Sequence, residues 1–101
     1  MPDDAISVTN NEAEHQFEAR VDGQLAVLVY NRNGDRIVFT HTLVPEVLEG
    51  RGIASVLART ALEDARARRL RVVPLCPFVR GYIQRHPEYR PLVTVHPSSE
   101  A

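Results

Sequence analysis

The sequence predicts an α+β fold in which an antiparallel β-meander is followed by a strand, a glycine-rich turn, a long helix, a parallel strand and a second helix. Three observations support this prediction. Apolar and polar residues alternate in the first half, Asp22-Gly23 and Asn33-Gly34 are hairpin signals, and the apolar period becomes helical from Gly52 onward. The 101 residues are expected to form one domain, 1–101, with flexible ends at 1–13 and 97–101.

The first half of the chain contains three predicted strands after a short edge strand at Ile6 and Val8. Residues 14–22 alternate strictly, which is typical of a half-buried strand. Leu25 to Tyr30 is apolar on both faces, as a central strand would be. Residues 37–44 are rich in β-branched side chains and form the third strand of the meander.

The second half is predicted to cross back over this sheet. The longest helix runs from Gly52 to about Arg69, and a short strand follows from Leu70 to Leu75. A strand, helix, strand order favours a right-handed crossover to a parallel neighbour. Pro77 suits the first turn of a second helix, which His86-Pro87 would end. The predicted inward stripe of the long helix comprises Ile53, Val56, Leu57, Thr60, Ala61 and Ala65.

Composition excludes several classes of protein. Hydrophobic residues are 44% and charged residues 25%, as in ordinary globular domains. The longest apolar run is far too short to span a membrane, and the acidic N-terminus has no apolar core of a signal peptide, so no membrane partner and a cytoplasmic location are expected. A single cysteine, Cys76, rules out an internal disulfide framework.

Charge is unevenly distributed along the chain. Residues 1–50 contain three Arg against nine acids, whereas residues 51–90 contain nine Arg against three acids. The basic half allows a nucleic-acid binder that uses the Arg-rich helix. The net charge of −1 and the acids interleaved on that helix argue against it, so a nucleic-acid partner is not expected.

The glycine-rich turn is the strongest candidate for a binding site. Gly50 and Gly52 allow a tight backbone turn immediately before the long helix. The first amides of a helix have no partner inside it, and the positive end of the helix dipole lies behind them, so such a turn can hold phosphate. Arg51 is a candidate side chain for the same anion, while Glu46 and Glu49 are expected to point into solvent.

Cys76 and His41 are the candidate reactive side chains. Cys76 lies near the N-cap of the second helix, where a helix N-terminus stabilises thiolate; the alternative is a buried, inert cysteine. His41 is predicted on the same strand face as Ile37 and Phe39, as a base or as a hydrogen-bonded strand residue. Sequence does not show that the two meet. His15, His86 and His96 are interpreted as packing or incidental residues, and no His and Cys have close metal-ligand spacing, so no metal is expected.

Several segments together resemble a known family. They are His41-Thr42-Leu43-Val44-Pro45, Glu49-Gly50-Arg51-Gly52-Ile53-Ala54, Val72-Val73-Pro74-Leu75-Cys76-Pro77-Phe78-Val79, Tyr82-Ile83 and Arg85-His86-Pro87-Glu88-Tyr89. Across residues 16–93 the chain resembles the short, single-domain GNAT-type N-acetyltransferases, most specifically from Pro74 to Tyr89. The resemblance implies the same GNAT-like order of elements that the residue pattern predicts.

The resemblance also implies an activity and a site. It implies an N-acetyltransferase that transfers the acetyl group of acetyl-CoA to an unidentified amine, without a metal, directly or through a thiolate of Cys76. A catalytic role is implied for Cys76, and His41 is the candidate base from its place near the end of its strand. Coenzyme contacts are assigned to Val44, Gly50, Arg51, Gly52, Ile53, Ala54, Cys76 and Tyr82.

Two positions depart from the family pattern. Glu49 stands where the superfamily has Arg or Gln, so backbone amides rather than this side chain should hold the phosphates. Leu43 stands where short members commonly have an acid, which removes one candidate base. The alternative function is a CoA or acyl-CoA binding module with little catalysis. The expected assembly is a monomer or a weak dimer.

Overall fold

The structure, a computed structural model, describes residues 6–93. The expectations for residues 1–5, for His96 and for the tail at 97–101 lie outside this range. In chain order the elements are β1 (Val8–Asn11), β2 (Gln16–Val21), β3 (Gln24–Asn33), β4 (Arg36–Leu43), a first 3₁₀ helix (Glu46–Leu48), α1 (Ile53–Ala67), β5 (Arg71–Pro74), α2 (Pro77–Arg85) and a second 3₁₀ helix (Pro87–Leu92).

The five strands form one sheet in the order β1-β2-β3-β4-β5. The first four strands are antiparallel, and β5 pairs with β4 in parallel, as the strand, helix, strand order predicts. One face of the sheet contributes Phe17, Leu28, Phe39 and Val72 to the core, where α1, α2 and Tyr89 pack against them. Helices therefore cover one face of the sheet, which we call the helix face; the other is the open face.

Both hairpins form, but the second differs from its predicted position. Asp22 and Gly23 have φ of 51° and 76°, as the two central residues of a type I′ turn require. In the second hairpin Asn33 pairs with Arg36, so the central residues are Gly34 and Asp35. Gly34, with φ of 64°, is therefore the first central residue rather than the second.

A β-bulge in β4 corrects the predicted orientation of His41. Val29 pairs with His41 and Tyr30 pairs with Phe39, which leaves Thr40 as the extra residue; its hydroxyl donates to the Val29 carbonyl at 3.3 Å. One extra residue reverses the alternation beyond it. The prediction that His41 shares a face with Ile37 and Phe39 is therefore wrong. His41 lies exposed on the open face, and Thr42, opposite the buried Leu28, lies on the helix face.

The helices follow the apolar pattern closely. The buried residues of α1 are Ile53, Val56, Leu57, Ala58, Ala61, Leu62 and Ala65. The predicted stripe contains all of these except Ala58 and Leu62, and its Thr60 is half-buried. Cys76 is the N-cap of α2 and Pro77 its first residue, as the sequence predicts. His86 ends α2, stacks on Tyr82 with ring centroids 4.0 Å apart, and its Nδ1 lies 2.9 Å from the Tyr82 carbonyl oxygen.

The second 3₁₀ helix is attached to α1 through Tyr89. The Tyr89 hydroxyl donates to Glu63 Oε2 at 2.6 Å, and the Arg66 guanidinium lies 5.1 Å from the centroid of the same ring. Burial, followed by the hydrogen bond to Glu63, raises the pKa of Tyr89 to about 12 from its ordinary value of 10.0.

We expect the Tyr89 contact to make stability fall at high pH. Because its folded pKa lies above the unfolded one, the folded protein binds the phenolic proton more tightly. The contribution is complete below pH 10 and is lost as pH rises from about 10 to about 12, by roughly 2–3 kcal/mol. Urea unfolding at several pH values measures this loss.

The Tyr89→Phe variant is the control for that experiment. Burial also raises the pKa of Tyr30, so the wild-type chain will contain a second, smaller dependence of the same sign. The difference between wild type and Tyr89→Phe isolates Tyr89. A difference that stays constant between pH 9 and about pH 12 would contradict the assignment.

Candidate functional site

A groove of about 220 Å³ opens where the N-terminus of α1 meets the end of β4 and the start of α2. Its walls combine backbone of the glycine turn with apolar side chains. They comprise Val44, Leu48, Glu49, Gly50, Gly52, Ile53, Ala54, Ser55 and Phe78. The groove is lined by the first residues of both helices, so it lies on the helix side of the sheet edge.

The groove is bordered by the glycine turn and by the first amides of α1. Gly50 and Gly52 have φ of 84° and 78°, in the left-handed region that side-chain-bearing residues rarely adopt. The first helical hydrogen bond joins the Val56 N–H to the Gly52 carbonyl at 3.1 Å, so the three amides from Ile53 to Ser55 have no partner within the helix. A Cβ built on either glycine meets no atom within 4 Å, so the positive φ rather than a lack of space is what favours glycine here. Such an end of a 15-residue helix suits an anion.

Arg51, the candidate phosphate side chain, is turned away from the groove. Its Nη1 lies 2.7 Å from Asp22 Oδ2, at the tip of the β2–β3 hairpin. Both side chains are largely exposed, so the ion pair contributes less than about 1 kcal/mol. Glu49 is exposed and lines the groove, which differs from the expectation that it points away.

Strands β4 and β5 part beside the groove. Their last parallel pair is Phe39 with Pro74, and the Cys76 N–H then donates to the Phe39 carbonyl at 2.9 Å. Beyond this point β4 stays paired with β3 as far as Leu43, while β5 has ended. Within residues 6–93, the end of β4 therefore has no strand on its β5 side.

Cys76 lies where β4 and β5 separate, and it is buried. It is 3% exposed, and its Sγ lies 3.1 Å from Thr42 Oγ1. Thr42 reaches it because the bulge at Thr40 turns position 42 to the helix face. The same bulge places His41 on the opposite face, so the structure does not bring His41 and Cys76 together. Tyr82, another predicted coenzyme contact, is 5% exposed and packs against His86 and Tyr89.

Four residues of the site were missed from sequence. Thr42 contacts Cys76, and the groove also contains Leu48, Ser55 and Phe78. Ser55 could have been predicted, because it is the third residue of the helix that follows the glycine turn. No sequence signal marked Thr42, because a bulge leaves the residue pattern unchanged.

The described part of the chain has no cluster of three or more His, Cys, Asp or Glu side chains suited to a metal ion. None of its helices combines the length and the apolar character needed to cross a bilayer.

Comparison with known proteins identifies the family. Residues 16–92 match the model of the GCN5-related N-acetyl-transferase family. The chain belongs to the GCN5-related N-acetyltransferase family. It is also similar to protein NATD1 of Gallus gallus, at 36% identity over 85 residues that cover 81% of this chain and 77% of the relative. Protein NATD1 of Homo sapiens is similar at 36% identity, over 81% of this chain and 75% of the relative.

A solved structure supports the fold independently. The NMR solution structure of a GCN5-like protein from Staphylococcus aureus superposes with a TM-score of 0.69 over 90% of each chain, at 22% identity. The predicted resemblance and the predicted α+β fold are thus confirmed.

Proposed function

We propose that this protein is an N-acetyltransferase that transfers the acetyl group of acetyl-CoA directly to an amine. The observation that supports this most strongly is the groove at the start of α1. It is lined by the glycine turn and by first-turn residues whose amides have no partner within the helix, and it lies beside the point where β4 and β5 separate. Membership of the family supports the reaction class.

The pyrophosphate of the coenzyme would lie on the backbone of the turn. Amides from Gly50 to Ala54 supply hydrogen bonds, and the dipole of α1 favours the negative charge. The groove of about 220 Å³ is smaller than a site of roughly 300–1,000 Å³ that encloses a whole ligand. It therefore suits the pyrophosphate and its nearest groups, with the pantetheine arm continuing along the free edge of β4 past Val44.

Direct transfer is favoured over an acetyl-cysteine route. A cysteine nucleophile needs a base within hydrogen-bond reach, and the Sγ of Cys76 contacts a threonine hydroxyl, which is not one. At 3% exposure Cys76 is also poorly accessible to a thioester. His41 is exposed on the open face near the end of β4, and we propose it as the group that accepts the proton of the amine.

The Cys76→Ala variant should keep kcat within about tenfold of wild type. The Sγ would then serve packing, and its loss would lower stability by roughly 1 kcal/mol. Steady-state kinetics and urea unfolding measure the two effects. The matched variant Thr42→Val, which removes the other half of the contact, should behave alike. A fall in kcat of about 10³-fold or more in Cys76→Ala alone would instead support the covalent route.

We also propose that Arg51 leaves its ion pair with Asp22 when the coenzyme binds and contacts a phosphate instead. The exposed ion pair is weak, whereas an Arg–phosphate contact is charge-assisted and can be bidentate. Arg51→Gln should therefore weaken CoA binding by about tenfold, and Asp22→Asn, which frees the guanidinium, should tighten it by about threefold. Isothermal titration calorimetry measures both affinities.

The double variant tests whether the two residues act through each other. In the Arg51→Gln background, Asp22→Asn should change the affinity for CoA only by the small effect of removing one negative charge. If Asp22→Asn weakens CoA binding instead, Arg51 acts by tethering the glycine turn to the β2–β3 hairpin and does not contact phosphate.

Native mass spectrometry of the protein with acetyl-CoA tests the proposed function as a whole. We expect a one-to-one complex, no acetyl adduct on Cys76, and acetylated product once an amine is added. A stable complex without turnover over a broad amine panel would favour the alternative, a CoA or acyl-CoA binding module. The observation that favours this alternative is that His41 and the buried Cys76 side chain lie on opposite faces of the sheet, so these two residues do not form a nucleophile–base pair.

A further inference from the structure

Two walls of the groove lead to one contact between side chains. On the strand side Val44 lines the groove, and Thr42 lies two residues earlier, in β4. On the helix side Phe78 lines the groove, and Cys76, the N-cap of α2, lies two residues earlier. The two earlier side chains meet, with Thr42 Oγ1 3.1 Å from Cys76 Sγ. Beyond Val44 and Phe78 the strand wall and the helix wall are therefore in contact.

We propose that the contact between Thr42 and Cys76, here called the end wall, limits the acyl group of the coenzyme to acetyl. This inference rests on the proposed function, because it concerns the thioester end of the same coenzyme. It adds a determinant of specificity: the two side chains exclude acyl groups that are longer than acetyl by one or more methylene groups. Discrimination of this kind depends on a clash with the wrong ligand.

The end wall lies on the path that the proposed coenzyme follows. Thr42 pairs with the buried Leu28 and so faces the helices. Val44 packs against the core that the helices cover, so Thr42 and Val44 lie on the same side of the sheet. The pantetheine arm, bound along the edge of β4 past Val44, leads toward the point where β4 and β5 separate. The next side chain on that face of the strand is Thr42, and its contact with Cys76 closes the path.

Neither residue of the end wall is free to move aside. The Cys76 N–H donates to the Phe39 carbonyl at 2.9 Å, and the Cys76 carbonyl accepts from the Arg80 N–H at 3.0 Å. The backbone of Cys76 is therefore attached to both β4 and α2. Thr42 is held in the antiparallel ladder by its pairing with Leu28. Side chains on such regular elements are positioned more precisely than side chains on loops.

The protein behind the end wall is packed core. Cys76 is buried, and Phe39, which is bonded to it through the backbone, is fully buried. A packed interior has few voids, and forcing extra methylene groups into it is unfavourable. One methylene group changes the affinity of an apolar site by roughly 10–200-fold. An acyl chain that extends into the end wall should therefore bind measurably more weakly than acetyl.

Isothermal titration calorimetry of the whole chain with CoA, acetyl-CoA, propanoyl-CoA and butanoyl-CoA tests the inference without an acceptor amine. Wild type should bind acetyl-CoA at least about tenfold more tightly than butanoyl-CoA, with propanoyl-CoA between them. Thr42→Ala removes about the volume of the two extra carbons, so it should reduce that ratio by about fivefold or more. Cys76→Ala opens the end wall from the other side and should reduce the ratio by about twofold or more.

Thr42→Val is the matched control, because it keeps the size of the side chain and replaces only its hydroxyl. It should keep the acetyl-to-butanoyl ratio within about twofold of wild type. CoA without an acyl group is titrated on every variant, and each acyl-CoA affinity is expressed relative to it. A general change in coenzyme binding or in folding then cancels, and only the effect on the acyl group remains.

Three results would overturn the inference. They are equal or tighter binding of butanoyl-CoA by wild type, a ratio unchanged in both alanine variants, or an equal loss of the ratio in Thr42→Val and Thr42→Ala. If wild type binds CoA and gives any of these results, the proposed coenzyme site stands and only the end wall is wrong. If wild type fails to bind CoA, the proposed coenzyme site is wrong and this inference falls with it.

Discussion

The Ala54→Asp variant should lose about 100-fold in affinity for CoA while it unfolds at the same or a slightly higher temperature. Ala54 lines the groove in the first turn of α1. A carboxylate near the start of a helix interacts favourably with the dipole, by roughly 0.3–1 kcal/mol. The same carboxylate about 5 Å from a pyrophosphate is repelled by roughly 2–3 kcal/mol at an effective dielectric constant of about 20–40. Calorimetric titration and thermal unfolding measure the two effects on one sample.

The control for this prediction is Ala54→Asn, which has nearly the same size but no charge. It should lose at most about fivefold in affinity, because it adds bulk without repulsion. Equal losses in the two variants would mean that shape, rather than phosphate charge, is what the turn recognises. Unchanged affinity in Ala54→Asp would place the coenzyme elsewhere.

The Phe39→Ala variant should lower the free energy of unfolding by about 3–5 kcal/mol. Phe39 is 0% exposed and lies in β4 at its last pair with β5, with its ring 6.5 Å from that of Tyr30. Since a domain of this size is stable by only about 5–15 kcal/mol, much of its stability would be lost. Urea unfolding measures the change.

Phe39→Leu is the matched control, since it keeps most of the apolar volume and should cost less than about 2 kcal/mol. The Phe39 carbonyl also accepts a hydrogen bond from the Cys76 N–H. A packing defect at Phe39 would therefore disturb the point where β4 and β5 separate. If Phe39→Ala lowers the free energy of unfolding by less than about 1 kcal/mol, Phe39 is not part of a tightly packed core and the account of its packing is wrong.

Most of the fold could be predicted because local and global signals agree. Alternation marked β2, and the helical stripe from Ile53 to Ala65 matches the buried face of α1 except for Ala58 and Leu62. Asp22-Gly23 has the positive φ at both residues that its sequence indicates. In the second hairpin the turn is shifted by one residue, because Gly34 can satisfy a positive φ at either central position.

The parts of the candidate site that depend on backbone conformation could be predicted from the sequence. The parts that depend on the direction of a side chain could not. Gly50 and Gly52 could be identified because only glycine readily takes the observed φ. The orientation of His41 could not, because one extra residue at Thr40 reverses every face beyond it and leaves no mark in the sequence. For the same reason Thr42, the partner of Cys76, was not among the predicted site residues.

The crystal structure of the protein with CoA tests the central claim most directly. The account predicts pyrophosphate oxygens about 2.7–3.2 Å from backbone nitrogens of the turn and first helical residues, Gly50–Ser55. It also predicts the thiol end of CoA between the ends of β4 and β5. A coenzyme bound with its phosphates away from this turn, on Arg36 and Arg71 at the start of β4 and β5 or on the open face, would contradict the account.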